Sequence, residues 1–378
     1  MRILLVEPDL EDNGAMRVSL DRASRWAEMD ANVSVLLVSS FSDGRVAELP
    51  SNLNVTVANR KLASARWMLP NALLKGVALA RQADVIVAGR EIASGLLIGT
   101  LLAKLARRPL AVTVHNNVDA ALQHHGTARH RRNVLACLRA ADSLIPVSSG
   151  LEAGLLELGL PAQGIKVIEN GLDADRLRAL AAEPAPFIRS ETPLIFGLGR
   201  LAAQKGFDVL IRAHARALRD GAPDHRVVIA GQGPDLGALQ ALAAELGVGS
   251  SVEFLGFLAN PFPVLRQADL FALPSRWEGF ALALAEAVIL QIPSVAADCV
   301  AGPADILDDG RFGDLVPVGD DHALAAAIAA HLKNPKRLRE AAALGSISVE
   351  SRFSAQNAAR RHLQLLQELP SPRGAMSA

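Results

Sequence analysis

Residues 194–219 read LIFGLGRLAAQKGFDVLIRAHARALR, an apolar strand that runs through a glycine-rich loop into a helical pattern. The strand, predicted at Leu194–Leu198, is apolar on both faces, which is typical of the buried strands of parallel sheets. The same order of strand, loop and helix recurs from one end of the chain to the other. This alternation predicts an α/β fold in which helices cover both faces of parallel sheets.

Further short apolar runs predict the other strands of this fold. In the first half of the chain they are Ile3–Val6, Val33–Val38, Asn54–Val57, Val85–Ala88, Leu110–Val114, Ser143–Val147 and Lys166–Ile168. In the second half they are Val227–Ala230, Val252–Phe254, Leu270–Ala272, Ser294–Ala296 and Gly313–Val316.

One stretch without apolar periodicity, the proline-rich segment Ala182–Pro193, predicts a linker between two domains. We expect a Rossmann-like domain over residues 1–172 and a second over residues 192–350, with a cleft between them. A last helix is predicted over residues 355–369; since no strand follows it, it must pack on a domain already built. The tail, residues 370–378, is expected to be disordered.

The composition narrows the class of protein. Half of the 378 residues are apolar, and 39 basic residues balance 39 acidic ones, so no global field favours nucleic acid. The two cysteines, Cys137 and Cys299, form no disulfide framework and fit a reducing compartment. Residues 1–7 predict a buried strand rather than a signal peptide. We therefore expect a cytoplasmic protein, peripheral on the inner membrane face at most.

Two glycine-containing loops follow predicted strands and suit phosphate binding. In the first, Gly199 allows close approach while Arg200 and Lys205 supply positive charge; the alternative is an ordinary loop with two solvated cations. The second carries Gly231 and Gly233 in GQGPDLG, a loose dinucleotide fingerprint whose spacing departs from the NAD pattern. A nucleotide-contacting loop and a purely structural turn remain the two interpretations of this second loop.

The segment SRWEGFALALAEAV, residues 275–288, carries the most specific pattern. It places Glu278 in a loop or first helical turn and Glu286 about two turns into an otherwise apolar helix. A buried carboxylate needs partners, and the vicinal hydroxyls of a ribose or sugar are good donors to it. The amides of Gly279, Phe280 and Ala281 at the helix start could face a phosphate or sugar oxygen. The alternative is a helix-dipole glutamate with a buried salt bridge.

Two further features are candidate ligand sites. The loop Asp298–Pro303 ends a strand and begins a short helix, so it lines the same rim or serves only as a turn. Asp173 and Asp175 form a D-x-D pattern that elsewhere binds metal, but they stand far from the other loops. No His/Cys cluster at metal-ligand spacing occurs, and no metal site is predicted.

The chain resembles the family-four retaining glycosyltransferases of the GT-B fold. The segments that carry this resemblance are, in order, IENGLD, GLGRLAAQKGFDVLIRA, VVIAGQGP, VEFLGF, LPSRWEGFALALAEA and the Asp298–Pro303 loop. The resemblance covers essentially the whole chain. Within the family, the chain is similar to members that build polysaccharides and lipid-linked oligosaccharides. It implies two Rossmann-like domains and a C-terminal helix that returns to the first. Two departures are Gln291, where the family usually has glycine, and Asn13-Gly14, where it usually has paired glycines.

The resemblance also implies roles for individual residues. Arg200 and Lys205 would hold the donor diphosphate, Glu286 the nucleotide ribose and Glu278 the transferred sugar, which the amides of Gly279 and Phe280 help to position. In the first half, Gly14 would approach the donor phosphate. His115, at the end of a predicted strand, would contact the transferred sugar, although a lone histidine is often structural.

The expected activity is metal-independent transfer of a hexose-type sugar from a nucleotide-diphosphate sugar, UDP ahead of GDP, with retention and without a cofactor. The acceptor is a sugar or a lipid-linked sugar. A nucleotide-sugar 2-epimerase, a non-catalytic donor-binding scaffold and an NAD-dependent oxidoreductase remain alternatives. Basic clusters in the first half predict either solvated helix faces or a docking surface for anionic lipid; they are Arg60, Lys61 and Arg66; Lys104, Arg107 and Arg108; and Arg129, Arg131 and Arg132.

Overall fold

The computed structural model describes residues 1–10, 14–39, 49–59, 65–92, 94–125, 127–186, 189 and 191–370. The chain forms two compact units. The first unit comprises residues 1–171 and the C-terminal segment from Ala355, and the second unit comprises Leu172–Ser354.

The first unit is built on a parallel sheet whose strands lie in the order β3-β2-β1-β4-β5-β6. These strands are β1 (Arg2–Glu7), β2 (Asn32–Ser39), β3 (Asn54–Asn59), β4 (Val85–Ala88), β5 (Leu110–Val114) and β6 (Ser143–Pro146). The helices are α1 (Gly14–Glu28), α2 (Ala65–Gln82), α3 (Ser94–Ala106), α4 (Val118–His125), α5 (Ala128–Arg139), α6 (Ser149–Glu157) and a C-terminal helix at Ala355–Glu368.

The second unit repeats this topology in the order β12-β11-β10-β7-β8-β9. Its strands are β7 (Leu194–Leu198), β8 (Arg226–Ala230), β9 (Val252–Gly256), β10 (Leu270–Leu273), β11 (Ser294–Ala297) and β12 (Asp314–Val316). Its helices are α7 (Ala174–Ala181), α8 (Phe207–Arg219), α9 (Leu236–Glu245), α10 (Phe262–Leu265), α11 (Leu282–Ile289), α12 (Pro303–Leu307), α13 (Asp321–Lys333) and α14 (Lys336–Arg352), so that the C-terminal helix is α15.

The cores of both units lie between sheet and helices. Strands such as β1 are buried along nearly their whole length because helices cover both faces. In the first unit α15 adds Ala359 and Leu363 to the core, and the indole nitrogen of Trp26 on α1 donates to the carbonyl oxygen of Ala359 at 3.0 Å. The C-terminal helix is therefore an integral part of the first unit.

Each sheet reverses its strand order at one point, between β1 and β4 in the first unit and between β7 and β10 in the second. Loops that leave the carboxyl ends of strands on either side of such a point diverge and leave a crevice, where α/β proteins bind ligands. The loops of interest in the second unit are thus those after β7 and β10.

The predicted strand at Lys166–Ile168 is wrong. The segment runs beside β6, with the Lys166 amide donating to the carbonyl of Leu144 at 2.9 Å and the Ile168 amide to that of Pro146 at 3.1 Å, but it forms only an isolated bridge at Ile165. The second unit also begins earlier than residue 192. Helix α7 belongs to it because Asn260, just before α10, donates to the carbonyl of Leu180 at 2.9 Å.

Candidate functional site

An ion pair joins the two loops at the switch point of the second unit. Lys205 Nζ, in the loop after β7, lies 2.6 Å from Glu278 Oε1, in the loop after β10. Ser275 Oγ donates to the same carboxylate oxygen at 2.7 Å. The Glu278 side chain is only 6% exposed and that of Lys205 18%, so both charges are largely shielded from water. The structure thus brings together two of the predicted site residues and adds Ser275.

The two loops meet so closely because Gly206 carries no side chain. Its φ of 63° lies in the left-handed region, and a Cβ there would stand 2.1 Å from the carbonyl oxygen of Pro274. Any other residue would push the loops apart and separate Lys205 from Glu278. The glycine at the end of the motif is therefore explained by backbone packing.

A second, larger set of contacts between these loops centres on Arg276, which sequence reasoning missed. Its guanidinium forms two hydrogen bonds with the Asp208 carboxylate, at 2.9 and 2.7 Å, and a third with the carbonyl oxygen of Ala203 at 2.7 Å. Burial acts to raise the pKa of Asp208, but the hydrogen bonds and charge of Arg276 outweigh it and hold the pKa below its usual value. The carboxylate therefore stays ionised.

The loop after β8 packs against the loop after β7 through its glycines. A Cβ on Gly231, whose φ is 144°, would lie 1.8 Å from the carbonyl oxygen of Gly199, and one on Gly233 would lie 2.2 Å from that of Leu201. These two predicted site glycines thus have a structural reason of their own. The predicted cation Arg200, in the loop after β7, is exposed and forms no ion pair with any residue in the described ranges.

The segment after Glu278 forms a tight turn into α11. Phe280 is buried and packs edge-on against Phe353, with ring centroids 5.0 Å apart, while Gly279 beside it is also buried. Ala281 caps the helix in a left-handed conformation, with a φ of 60°. Because α11 begins at Leu282, Glu286 lies about one turn into the helix rather than two, and it is 4% exposed.

The loop after β11 closes the rim beside this turn. Asp298 and Val300 are exposed, whereas Cys299 between them is buried. Burial, reinforced by the negative charge of Glu278, raises the pKa of the Cys299 thiol to about 12. The thiol therefore stays protonated near neutral pH.

In the first unit, His115 directly follows β5 and is 6% exposed. Burial and the nearby charges of Arg22 and Arg90 lower its pKa to about 3, so the imidazole is neutral. Its Nε2 atom is buried without a hydrogen-bond partner in the described part of the chain. A nitrogen of a neutral imidazole ring can form a hydrogen bond with a hydroxyl group.

Glu91, which sequence reasoning also missed, holds the backbone around His115. Its carboxylate accepts from the His115 amide at 3.0 Å and from the Asn116 side chain at 3.1 Å, and burial raises its pKa. A second buried carboxylate, Glu7, ends β1 and accepts a hydrogen bond from Ser19. A signal is present in both cases, because Glu7 ends an apolar strand and Glu91 follows the apolar strand β4 by three residues.

The remaining predicted residues have simpler settings. Gly14 is the first residue of α1, and Asn13 before it lies outside the described residues. In the D-x-D pattern, Asp173 caps α7 by accepting from the Arg176 amide at 2.9 Å, and Asp175 lies 3.3 Å from Arg178. Among the described residues, no three His, Cys, Asp or Glu side chains are grouped so as to hold a metal ion.

Two family profiles match the chain, one in each half. The profile described as "Glycosyltransferase Family 4" matches residues 12–176, and that described as "Glycosyl transferases group 1" matches residues 181–345.

Curated relatives are 28–39% identical to the chain over the regions that align. The putative colanic acid biosynthesis glycosyltransferase WcaL of Escherichia coli is 29% identical over 81% of this chain and 76% of its own length. The N-acetylgalactosamine-N,N'-diacetylbacillosaminyl-diphospho-undecaprenol 4-alpha-N-acetylgalactosaminyltransferase of Campylobacter jejuni is 30% identical over 53% of each protein. In several other relatives the chain spans about half of the protein's length or less, from 18% to 53%.

Solved structures match over nearly the whole chain. Anabaena HepE, in a crystal structure with UDP and glucose, has a TM-score of 0.82 and 23% identity, with 98% of this chain and 100% of that chain covered. The likeness confirms the predicted fold, two Rossmann-like parallel sheets in the GT-B arrangement of elements.

Proposed function

The chain belongs to the family-four glycosyltransferases, and on that premise we propose that it moves a hexose-type sugar from a nucleotide-diphosphate sugar to a sugar or lipid-linked sugar acceptor. The donor is a UDP-sugar ahead of a GDP-sugar. The transfer retains the anomeric configuration, needs no metal ion and uses no separate cofactor.

The observation that carries this proposal is the Lys205–Glu278 pair at the switch point of the second unit. A diphosphate offers oxygens to a cation, and a hexose offers hydroxyl donors to a carboxylate, so one donor molecule supplies a partner to each member of the pair. The exposed Arg200, in the same loop as Lys205, adds a second positive charge for the diphosphate. The solved neighbour with UDP and glucose supports a uridine nucleotide.

The other donor contacts are assigned through the family resemblance. Glu286 holds the ribose, and the backbone of the glycine loops lies along the phosphates and the sugar; these loop residues are Gly199, Gly231, Gly233, Gly279 and Phe280. From the first unit, Gly14 is assigned to the donor phosphate and His115 to the transferred sugar. Because its imidazole is neutral, His115 acts through a hydrogen bond to a hydroxyl and not through its charge.

Charge on the leaving group explains why no metal is needed. The bond between the anomeric carbon and the phosphate oxygen breaks, and its electron pair remains on the nucleotide diphosphate. Arg200 and Lys205 stabilise this charge as fixed cations, a task that a metal ion performs in other enzymes.

Retention follows if the acceptor attacks from the face that the leaving group vacates. The acceptor hydroxyl forms the new bond to the anomeric carbon, and its proton passes to an oxygen of the departing diphosphate. Glu278 binds the sugar hydroxyls during this step, so no covalent enzyme intermediate forms.

A ligand screen and product analysis test this proposal against its alternatives. We expect UDP, or else GDP, to raise the melting temperature in EDTA, whereas NADH does not. Incubation with UDP-sugars alone should release UDP and the unchanged sugar, whereas a 2-epimerase would alter the sugar at C2. Stabilisation by NADH and not by UDP or GDP would contradict the proposal, as would bound nucleotide without turnover in the presence of acceptors.

We also assign the acceptor side a docking surface on α2, α3 and α5, which pack side by side. Leu74, Leu97 and Leu105 are 79%, 43% and 59% exposed there, and Lys104 and Arg107 are exposed beside them. Such apolar side chains within a basic surface match an anionic lipid interface, where each basic residue is worth about 1 kcal/mol. Among the described residues, no helix is long and apolar enough to cross a membrane.

The basic clusters of this surface differ in their contacts. Arg129 and Arg132 are exposed, Arg131 pairs with Asp119 at 2.6 Å, and Arg108 donates to the carbonyl of Arg81. Arg60, Lys61 and the side chain of Arg66 lie outside the described residues.

Liposome flotation tests this surface. We expect binding to vesicles that contain phosphatidylglycerol, decreasing with salt and reduced in the variant Lys104→Glu, Arg107→Glu. The exposed Arg219→Glu in the second unit is the matched control and should bind as the wild type does. Absence of binding at low salt would contradict the assignment.

A further inference from the structure

We propose that Arg276 and Asp208 form a positioning pair that sets the distance and orientation of Lys205 and Glu278. The inference rests on the proposed function of those two residues. It assigns a role to a salt bridge that touches neither the sugar nor the diphosphate.

The pair lies in a network of hydrogen bonds that joins the loop after β10 to the loop after β7 and the start of α8. Besides the double hydrogen bond to Asp208, the Arg276 side chain donates to the Ala203 carbonyl at 2.7 Å. The Arg276 amide donates to the carbonyl of Gln204 at 2.7 Å, and the Gln204 side chain donates to the carbonyl of Trp277 at 3.0 Å. Every residue in this network thus lies within three positions of Lys205 or Glu278 in the sequence.

This placement separates two causes of the Lys205–Glu278 geometry. The attraction of the two charges alone would bring them together in many arrangements, because the lysine chain has several free torsions. The hydrogen-bond network instead fixes the backbones of the two loops from which the charged side chains project. A ligand that takes over the bonds of Lys205 and Glu278 then meets groups that hold their positions.

The chemistry of the pair suits a fixed spacer. An arginine fork and a carboxylate make two parallel hydrogen bonds in one plane, so the contact resists rotation as well as separation. The side chains of Arg276 and Asp208 are 33% and 34% exposed, so water partly screens the attraction between their charges. Asp208 also lies in the first turn of α8, where the helix dipole favours its negative charge. Lysine lacks the fork, so Arg276→Lys keeps the charge and loses the geometry.

A mutant cycle on donor turnover tests the proposal. Arg276→Lys, or Asp208→Asn, should lower kcat by about 10- to 100-fold in an otherwise wild-type chain. In a Glu278→Gln chain the same substitution should lower kcat by less than about threefold, because the pair acts through Glu278. Titration with UDP supplies a second cycle: Arg276→Lys should weaken binding in the wild type and leave the affinity of Lys205→Ala unchanged.

The control is Arg337→Lys. Arg337 also makes two hydrogen bonds with an aspartate, Asp314, at 2.9 and 2.6 Å, although both come from one guanidinium nitrogen. The contact lies at the amino-terminal end of β12, and the substitution should leave kcat within about twofold. Equal losses in the wild-type and Glu278→Gln backgrounds, or an unchanged kcat in both Arg276→Lys and Asp208→Asn, would overturn the positioning role. If Glu278→Gln itself leaves kcat unchanged, the proposed function of the site is what fails.

Discussion

Lys205 Nζ and Glu278 Oε1 lie 2.6 Å apart although 73 positions separate the two residues in the chain. They meet because β7 and β10 are neighbours in the sheet, and because the carboxyl ends of parallel strands share one edge. Gly206 permits the loops to touch, and the Arg276–Asp208 pair fastens them.

Nucleotide affinity should depend on the two cations of the loop after β7. Arg200→Ala and Lys205→Ala should each weaken UDP binding by about 1.5–3 kcal/mol, because each removes a charge-assisted hydrogen bond to the diphosphate. Titration calorimetry in EDTA measures the effect, with Arg219→Ala, a 65% exposed arginine of the same unit, as control. Undiminished affinity for UDP in both variants would contradict the assignment of the diphosphate to this loop.

The two glutamates should separate turnover from binding. Glu278→Ala should lower kcat more than it weakens UDP binding, since Glu278 is assigned to the transferred sugar, which UDP lacks. Glu286→Ala should weaken UDP binding, since Glu286 is assigned to the ribose. Steady-state kinetics and UDP titration on both variants test this, and the reverse pattern would exchange the two assignments.

His115 should act without titrating. Because burial and the charges of Arg22 and Arg90 lower its pKa to about 3, it stays neutral across the range of the assay. His115→Ala should lower kcat more than it weakens UDP binding, and His115→Gln, which keeps a hydrogen-bonding group, should lose less. Between about pH 5 and 8 the wild type and His115→Gln should have parallel kcat profiles. A limb near pH 6.5 that only the wild type shows would contradict a neutral role.

The contribution of Glu7 to stability should decrease as the pH rises. Burial raises the pKa of this carboxyl to about 7, against 4.5 in the unfolded chain, even though Ser19 and Arg90 oppose the shift. Between these two values the folded chain keeps a proton that the unfolded chain has released, so the free energy of unfolding decreases as pH rises.

The decrease amounts to about 3 kcal/mol between pH 4.5 and 7, and Glu7→Gln should abolish it. Buried histidines such as His214 have lowered pKa values and act in the opposite direction, so the comparison is made between the variant and the wild type. Urea denaturation at several pH values measures the difference. Parallel curves for the two proteins would show that Glu7 keeps an ordinary pKa.

Most of the fold could be predicted from the sequence because parallel strands are continuous apolar runs. Leu110–Val114 and Leu194–Leu198 were predicted with the bounds that the structure has. Lys166–Ile168 contains only two apolar residues, and although it runs beside β6 the pairing is limited to an isolated bridge at Ile165. Gln291, where the family usually has glycine, takes a φ of 60°, the conformation for which glycine is favoured.

The site was less predictable because its supporting bonds join residues distant in sequence. Charged and glycine residues after strands marked Lys205 and Glu278. Arg276 also follows a strand, but an arginine in a loop and an aspartate such as Asp208 in a first helical turn are ordinary in isolation, so neither indicates the bond between them. Glu7 could have been found as a carboxylate at the end of an apolar strand, and Glu91 as one that follows such a strand by three residues.

Time-resolved NMR of a UDP-hexose incubated with the protein in EDTA tests the central claim most directly, because slow donor hydrolysis needs no knowledge of the acceptor. We predict that UDP accumulates and that the first sugar released has the anomeric configuration of the donor, with the signal lost in Glu278→Ala. Release of the opposite anomer, or turnover that EDTA abolishes and Mn²⁺ restores, would contradict metal-independent transfer with retention.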